Sequence, residues 1–139
     1  MHKPANPEIV EFIDRLAEAG SHYRMDEMED LYTADLGFLV LAQDGTISRF
    51  SKAEMFAEFR ARRDAGEKPL STEKKILHIE EQGDDATAVL YRRMSDSASP
   101  AFYELRLFRA DGKWRVKGET VLPWPNLDTA KGFLPPRQN

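Results

Sequence analysis

Histidine is the residue type in this chain best suited to proton transfer near neutral pH, and the chain holds three histidines and no cysteine. His78 is flanked by Leu77 and Ile79, which point to the same face of a strand because side chains alternate along it. These two apolar residues are predicted to face the core, so His78 is predicted to point outward beside Glu80. His22 lies in a turn, where a surface position is favoured over the rim of a pocket. These scattered positions give no ligand spacing, so neither a metal site nor a cofactor is predicted.

Two arginines at the end of a predicted strand, Arg92 and Arg93, are the second candidates for chemistry. Side chains alternate along a strand, so one of the two must point toward the core. A buried guanidinium needs a carboxylate, which Glu104, Glu119 or an anionic ligand would provide. The sequence leaves open which arginine points inward, because two sets of residues compete for the inner face: Ala86, Ala88 and Leu90 against Val89 and Tyr91.

The element that must position these groups is a long β-hairpin from Phe102 to Leu122, turning at Asp111-Gly112. Both turn residues tolerate positive φ, which a tight hairpin turn requires. The alternation predicts two inward sets, which are Tyr103, Leu105 and Leu107 on one strand and Trp114, Val116 and Gly118 on the other. The same alternation places a charged set on the opposite face: Glu104, Arg106, Arg115, Lys117 and Glu119.

Helical periodicity precedes the strands along the chain. Asn6 and Pro7 begin a first helix that ends at Gly20, and a second short helix covers Met25 to Tyr32. The capping box Ser51 to Glu54 begins a third helix, which Gly66 ends. The predicted strands before the hairpin are 37–42, 46–49, 74–82 and 86–94. Helices followed by strands indicate an α+β domain with the helices on one sheet face.

Size and charge exclude several classes of protein. A chain of 139 residues forms a single domain. The net charge of −4 and the pI near 5.4 argue against a nucleic-acid binder, which needs clustered cations. No apolar run approaches the roughly 20 residues that span a bilayer, and the first residues lack the apolar segment of a signal peptide. We therefore predict a soluble, unexported, cytoplasmic protein that binds neither nucleic acid nor membranes.

The order of these elements resembles the nuclear transport factor 2-like (NTF2-like) superfamily, which includes ketosteroid isomerase and SnoaL-type cyclases. The resemblance spans residues 7–122 and implies a cone-shaped fold, in which a strongly curved antiparallel sheet carries three N-terminal helices on its concave face. The motifs that carry it are Met28-Glu29-Asp30-Leu31-Tyr32-Thr33-Ala34-Asp35, Phe50-Ser51-Lys52-Ala53-Glu54-Met55, Gly83-Asp84-Asp85-Ala86 and Asp111-Gly112-Lys113-Trp114-Arg115-Val116.

The resemblance implies a ligand pocket between the helices and the concave face. Residues with a polar tip on inward stripes are the candidate ligand contacts, namely Tyr23, Tyr32, Tyr103, Trp114 and Thr120. Four phenylalanines frame them, namely Phe12, Phe38, Phe56 and Phe59. The alternative for each residue is ordinary core packing with one hydrogen bond.

The resemblance leaves two functional hypotheses. Ketosteroid isomerases place a catalytic aspartate on the first strand, whereas Phe38 to Leu41 are all apolar here, which disfavours that form of proton transfer. The first hypothesis is a small-molecule pocket protein, such as a lyase, isomerase or cyclase acting on an apolar or aromatic compound. The second is a non-catalytic dimeric module whose pocket is filled by its own side chains.

The convex face of the sheet is predicted to form a homodimer. Phe102 and Phe108 share the parity of Glu104 and Arg106, so two aromatic rings project outward from one strand. The proline-rich tail, residues 123–139, is predicted to pack on the domain or on a second subunit. In the alternative, this tail folds back over the two rings through Trp124 or Phe133.

Overall fold

A computed structural model describes residues 6–124 as three helices and six strands. The helices are α1 (Pro7–Ser21), α2 (Met25–Leu31) and α3 (Lys52–Asp64). The strands are β1 (Tyr32–Leu41), β2 (Ile47–Ser51), β3 (Lys74–Gln82), β4 (Asp85–Arg92), β5 (Ala101–Ala110) and β6 (Lys113–Pro123). The predicted α+β class and element order are confirmed. Residues 125–139, most of the predicted tail, lie outside the described residues.

Side-chain caps define two helix starts as the sequence predicts. The Asn6 side chain accepts a hydrogen bond from the Glu8 amide at 2.9 Å. At α3 the Ser51 hydroxyl accepts from the Glu54 amide at 3.1 Å, and the Glu54 carboxylate accepts from the Ser51 amide at 3.0 Å. These contacts satisfy amides that the first helical turn leaves without partners.

The six strands form one sheet in the order β2-β1-β6-β5-β4-β3. Strands β3 to β6 are antiparallel neighbours, and the β5–β6 turn has positive φ at both Asp111 and Gly112, as predicted. The sheet is mixed rather than wholly antiparallel, because β1 runs parallel to β6. The first strand also begins at Tyr32, which the sequence places at the end of the second helix.

The helices cover one face of the sheet, called the inner face below, and the apolar core lies between them. Ala86, Ala88, Leu90 and Arg92 are the buried residues of β4, which settles the parity that the sequence leaves open. The core joins this row to Leu105 and Leu107 of β5 and to Phe12 and Phe56 of the helices. None of the helices α1, α2 and α3 combines the length and the hydropathy that crossing a membrane requires.

Two register irregularities reverse predicted side-chain directions. On β3, Ile76 pairs with Leu90 and His78 pairs with Val89, so Leu77 has no partner on β4. Leu77 is 42% exposed, and its predicted core position is wrong. On β6 the register passes from Val116 opposite Leu107 to Gly118 opposite Arg106, so Lys117 is the extra residue of a bulge.

The β6 bulge shifts the alternation of every residue that follows it. Gly118, predicted to face inward, lies opposite Arg106, and a Cβ there would be 2.6 Å from the Arg106 guanidinium. Glu119, predicted to face solvent, is paired with Leu105 on the inner face and is 6% exposed. A charged side chain is thereby carried into the core.

Candidate functional site

A cavity of about 820 Å³ lies between α1, α3 and the inner face of the sheet. Its walls are mostly apolar, including Ile13, Leu16, Phe38, Met55, Phe59, Leu90 and Leu105. Eight residues that can make polar contacts also line it. Glu54, Glu58 and Arg62 belong to α3 and are at least partly exposed, and Ser21 is bound to Arg92. The four remaining groups are Tyr32, Arg92, Tyr103 and Glu119. An apolar cavity of this size with a few convergent polar groups is typical of a small-molecule site.

Glu119 occupies the centre of a row of paired residues that crosses the sheet. Phe50 pairs with Phe38, Phe38 with Glu119, Glu119 with Leu105, and Leu105 with Ala88. The carboxyl group therefore has apolar neighbours on both sides. Within residues 6–124 it takes part in no hydrogen bond or ion pair.

Burial raises the pKa of Glu119 from its ordinary 4.5 to about 7. The positive charges of Arg92 and Arg106 oppose this rise without cancelling it. Desolvation dominates because the charged carboxylate loses water that its apolar neighbours do not replace. Near neutral pH the group therefore exists in both protonation states, as a general acid or base requires.

Arg92 is the arginine that points inward, and it is 8% exposed. Its Nη2 donates to the Ser71 carbonyl at 2.8 Å and to the Ser21 hydroxyl at 3.3 Å. Its guanidinium lies 5.9 Å from the centre of the Tyr103 ring. Arg93 points to the loop after β4, where its Nε donates to the Ala98 carbonyl at 3.1 Å.

Two tyrosines complete the polar part of the cavity. Burial raises the pKa of Tyr103 to about 12, and the negative charge of Glu119 adds to the rise. Burial also raises the pKa of Tyr32 well above its ordinary value, with Glu119 again contributing. Both hydroxyls are therefore neutral O–H donors over the whole range in which Glu119 titrates.

The structure divides the predicted ligand contacts among several environments. Tyr32, Phe38, Phe59 and Tyr103 line the cavity. Tyr23 and Phe56 are packed instead: the Tyr23 hydroxyl donates to the Lys68 carbonyl at 3.0 Å, and Phe56 meets the Tyr32 ring edge-on at 5.8 Å.

The other three predicted contacts lie away from this cavity. Phe12 and Trp114 line a second groove of about 690 Å³ beside the β5–β6 turn, among charged side chains that include Glu11, Asp30 and Lys113. Thr120 accepts a hydrogen bond from Arg106 at 3.1 Å and is paired with Glu104, so it lies on the outer face. The bulge at Lys117 explains why Thr120 points outward, because the extra residue reverses the inward and outward alternation of the residues after it.

His78 and His22, the two histidines among the described residues, lie at the surface as the sequence predicts. His78 is exposed, with Nε2 2.9 Å from the Glu80 carboxylate. His22 is exposed, with Nδ1 3.0 Å from the Glu18 carbonyl oxygen. No group of three His, Asp or Glu side chains between residues 6 and 124 is arranged to hold a metal ion.

Sequence reasoning names Glu119 only as an outward residue that could pair with an arginine. The signal that could have located it is Gly118, because a glycine inside a strand often marks a bulge or a close approach of another group. Here the glycine marks both, since the Arg106 guanidinium crosses the space of its missing side chain.

The four polar groups have complementary chemical capacities. Glu119 can accept a proton and return it, Tyr32 and Tyr103 can donate hydrogen bonds to an oxygen, and Arg92 supplies a positive charge. Donors aimed at an oxygen in an apolar cavity stabilise negative charge more strongly than they would in water. The arrangement suits removal of a proton from a carbon next to a carbonyl group.

No family model matches this chain, and neither does any curated protein sequence. Solved structures do match. An NTF2-like protein of unknown function from Shewanella baltica OS155 is 18% identical, with a TM-score of 0.69 over 86% of this chain and 94% of that one. A second, from Silicibacter pomeroyi DSS-3, is 15% identical, with a TM-score of 0.68 over 83% of this chain and 92% of that one.

A third NTF2-like protein, from Cytophaga hutchinsonii ATCC 33406, has a TM-score of 0.67 at 15% identity and covers 88% of this chain and 100% of that one. The chain thus has the NTF2-like fold, and the resemblance drawn from the sequence is confirmed at the level of the fold. Fold alone does not determine an activity, which depends on the groups in the site.

Proposed function

We propose that this protein binds an apolar or aromatic small molecule in the 820 Å³ cavity and transfers a proton at a carbon next to the ligand's carbonyl group, as an isomerase or lyase does. The observation that carries the proposal is Glu119, a carboxyl group 6% exposed on an apolar wall of the cavity, without an ion-pair partner in residues 6–124. A buried acid without such a partner costs stability, and an acid with a raised pKa in a cleft is typical of a catalytic site.

The proposed chemistry assigns one role to each polar group. Glu119 removes a proton from the carbon, and the C–H electron pair moves onto the carbonyl oxygen to give an enolate. As an isomerase, Glu119 returns the proton to another carbon of the enolate. As a lyase, the enolate re-forms the carbonyl group while a leaving group departs from the β carbon with its bonding electron pair and takes up the proton. Tyr103 and Tyr32 donate hydrogen bonds to the carbonyl oxygen, on which negative charge develops as the proton leaves. The apolar walls hold the ring system of the ligand and exclude water.

Binding is tested with N-phenyl-1-naphthylamine, a neutral apolar dye whose fluorescence rises on leaving water. We expect saturable binding in the micromolar range. Gly20→Phe is expected to weaken it at least tenfold, because Gly20 lines the cavity and has open space where a side chain would project. Ala53→Phe, an exposed substitution on α3, is the matched control and should leave the affinity unchanged. Equal affinities in all three proteins would place the dye elsewhere and contradict the proposal.

Proton transfer is tested with 2-tetralone, an aromatic ketone with acidic C–H bonds, by following deuterium incorporation in D₂O by NMR. The wild-type protein should accelerate exchange, with a rate that rises with pH through about 7 as Glu119 loses its proton. Glu119→Gln is expected to lower the catalysed rate by about 100-fold, the usual size of a general-base effect. Glu104→Gln, on the outer face of β5, is the control. A catalysed rate that survives Glu119→Gln would exclude this residue as the base.

The outer face supports the further proposal of a homodimer. Phe102 is paired with Tyr91 and Leu122 there, and Phe108 is 40% exposed. The two phenylalanines are six positions apart on β5, which is about 20 Å, so each contributes to a different end of the face.

Light scattering during size exclusion should give twice the 15.9 kDa of one chain. Phe102→Ser is expected to shift the equilibrium toward monomers by at least tenfold, because a contact of two buried rings is lost. Leu77→Ser, at an exposed leucine of the edge strand β3, is the control. A wild-type mass of one chain at micromolar concentration would exclude the dimer.

A further inference from the structure

Arg92 is a buried cation for which the described part of the chain supplies no paired carboxylate. Its two hydrogen-bond partners, the Ser71 carbonyl and the Ser21 hydroxyl, are neutral. Both partners contact the same nitrogen, Nη2. The Nε atom is buried without any partner, and Nη1 makes no hydrogen bond within residues 6–124.

This arrangement differs from that of three partly exposed arginines on β5 and β6. Arg106 pairs with Glu104, Arg109 with Asp84, and Arg115 with Asp30. Arg92 is more deeply buried than these and yet has no paired carboxylate among residues 6–124. Removing a guanidinium from water costs several kcal/mol, and neutral partners offset only part of that cost.

Hydrogen bonds to neighbouring elements hold Arg92 in place at the cavity wall. Ser21 is at the end of α1, and its hydroxyl donates to the Ser71 carbonyl at 3.2 Å. Ser71 is in turn held by its own amide, which donates to the Met94 carbonyl at 2.7 Å. Because Nη2 is fixed in this way, the guanidinium plane is set before any ligand arrives, and Nη1 is left for the ligand.

We infer that the ligand of this cavity is an apolar or aromatic monocarboxylate whose carboxylate is bound by Arg92 through Nη1. The inference rests on the proposed function, since it assigns a chemical class to the ligand of the same cavity. A charge-assisted hydrogen bond of this kind is stronger than one between neutral groups.

The charges around the cavity favour a single negative charge over a double one. Two arginines line the cavity, and Arg62 is paired with Glu58 and Glu67, so Arg92 is the lining cation without an ion-pair partner in residues 6–124. Glu119 on the same wall carries no charge while it is protonated, which is its main form below about pH 7. A phosphate dianion would leave an excess negative charge in an apolar space, whereas a carboxylate matches one guanidinium. The tyrosines remain available to a carbonyl group elsewhere on the same ligand.

Two probes of nearly equal shape test the inference. They are 2-naphthoate, which is ionised at pH 6, and 2-naphthamide, which is neutral, and the affinity of each is measured by competition with N-phenyl-1-naphthylamine. At pH 6 Glu119 is mainly protonated and does not repel the carboxylate. We expect 2-naphthoate to bind at least tenfold more tightly than 2-naphthamide. Arg92→Met should remove this preference while keeping the affinity for the neutral dye within about threefold, because methionine retains the apolar stem.

Arg93→Met is the matched control, since Arg93 is the adjacent arginine and points to the loop carbonyl of Ala98. It should keep the wild-type preference for 2-naphthoate. If Arg92→Met does not fold, Arg62→Met distinguishes the two arginines that line the cavity: the preference for 2-naphthoate should survive it, and its loss would overturn the assignment to Arg92.

Each outcome bears on a different claim. Equal binding of both probes to the wild-type protein, with the dye bound, overturns the carboxylate inference and leaves the apolar pocket intact. A preference that persists in folded Arg92→Met also overturns it, because another group then binds the carboxylate. Failure of the dye and both probes to bind overturns the pocket itself and the inference with it.

Discussion

Replacing Glu119 with glutamine is expected to raise the free energy of unfolding at pH 8 by about 3 kcal/mol and to change it little at pH 4. The folded protein raises the pKa of this carboxyl group from 4.5 to about 7. Each pKa unit corresponds to about 1.4 kcal/mol, so keeping the ionised form buried above pH 7 costs about 3 kcal/mol. Glutamine keeps the shape of the side chain and has no charge to bury.

The sign follows from proton binding. The folded state holds the Glu119 proton more tightly than the unfolded state does, so this group's contribution to stability is complete below about pH 4.5 and is lost as the pH rises through about 7. The difference between wild-type and Glu119→Gln proteins should therefore grow over that interval. Urea denaturation of both proteins at pH 4, 6 and 8 measures it, and the subtraction cancels all other titrating groups.

Glu104→Gln is the control for this experiment because Glu104 is the corresponding acid on the outer face. Its carboxylate is half-exposed and paired with Arg106, so its loss should lower stability slightly at pH 8, within about 1 kcal/mol. A stability gain of equal size in both variants would mean that general charge repulsion causes the effect. A gain for Glu119→Gln that does not vary with pH would contradict the raised pKa.

Phe56→Ala is expected to have the largest effect on stability, a loss of about 3–5 kcal/mol at neutral pH. Phe56 is 1% exposed and attaches α3 to the sheet. Its ring packs edge-on against the Tyr32 ring, with centroids 5.8 Å apart. The Lys52 Nζ and Arg60 Cζ atoms lie 5.4 and 5.9 Å from the centre of the Phe56 ring. Alanine would leave a cavity and remove these contacts together. Urea denaturation of the two proteins gives the difference.

Phe50→Ala provides the comparison, because Phe50 is of the same residue type but is 37% exposed on β2. Its main partner is Phe38, with ring centres 6.1 Å apart. Losing a partly exposed ring should cost about 1 kcal/mol. Similar losses for the two variants would show that Phe56 is not the residue that holds α3 in place.

Local signals in the sequence predict most of the fold. Ser51 and Glu54 form a capping box that depends only on neighbouring residues, and Asp111-Gly112 forms a turn that few other dipeptides favour. These signals locate α3 and the β5–β6 hairpin. The parallel pairing of β1 with β6 could not be predicted in this way, because no local pattern records which distant strand a strand will join.

The site is less predictable because it depends on which face of the sheet each strand residue points to. A single extra residue at Lys117 sends Glu119 inward and Thr120 outward, and Lys117 itself is an ordinary exposed lysine. Arg92 is distinguished from Arg93 only by the inward parity of Ala88 and Leu90, which the sequence leaves ambiguous. Tyr32 and Tyr103 are predictable because aromatic residues with a polar tip favour such half-apolar positions.

The central position of β6 has a consequence for synthesis on the ribosome. This strand is made last among the six, yet it lies between β1 and β5 and is the only connection between the two halves of the described sheet. After α3 emerges, about 50 further residues must be made before β6 begins, which takes a few seconds at about 5–20 residues per second. During that time the nascent chain holds Phe12 and Phe56 without a completed sheet to cover them. The strand that completes the sheet also carries Glu119, so the nascent protein acquires its fold and its buried acid in the same step.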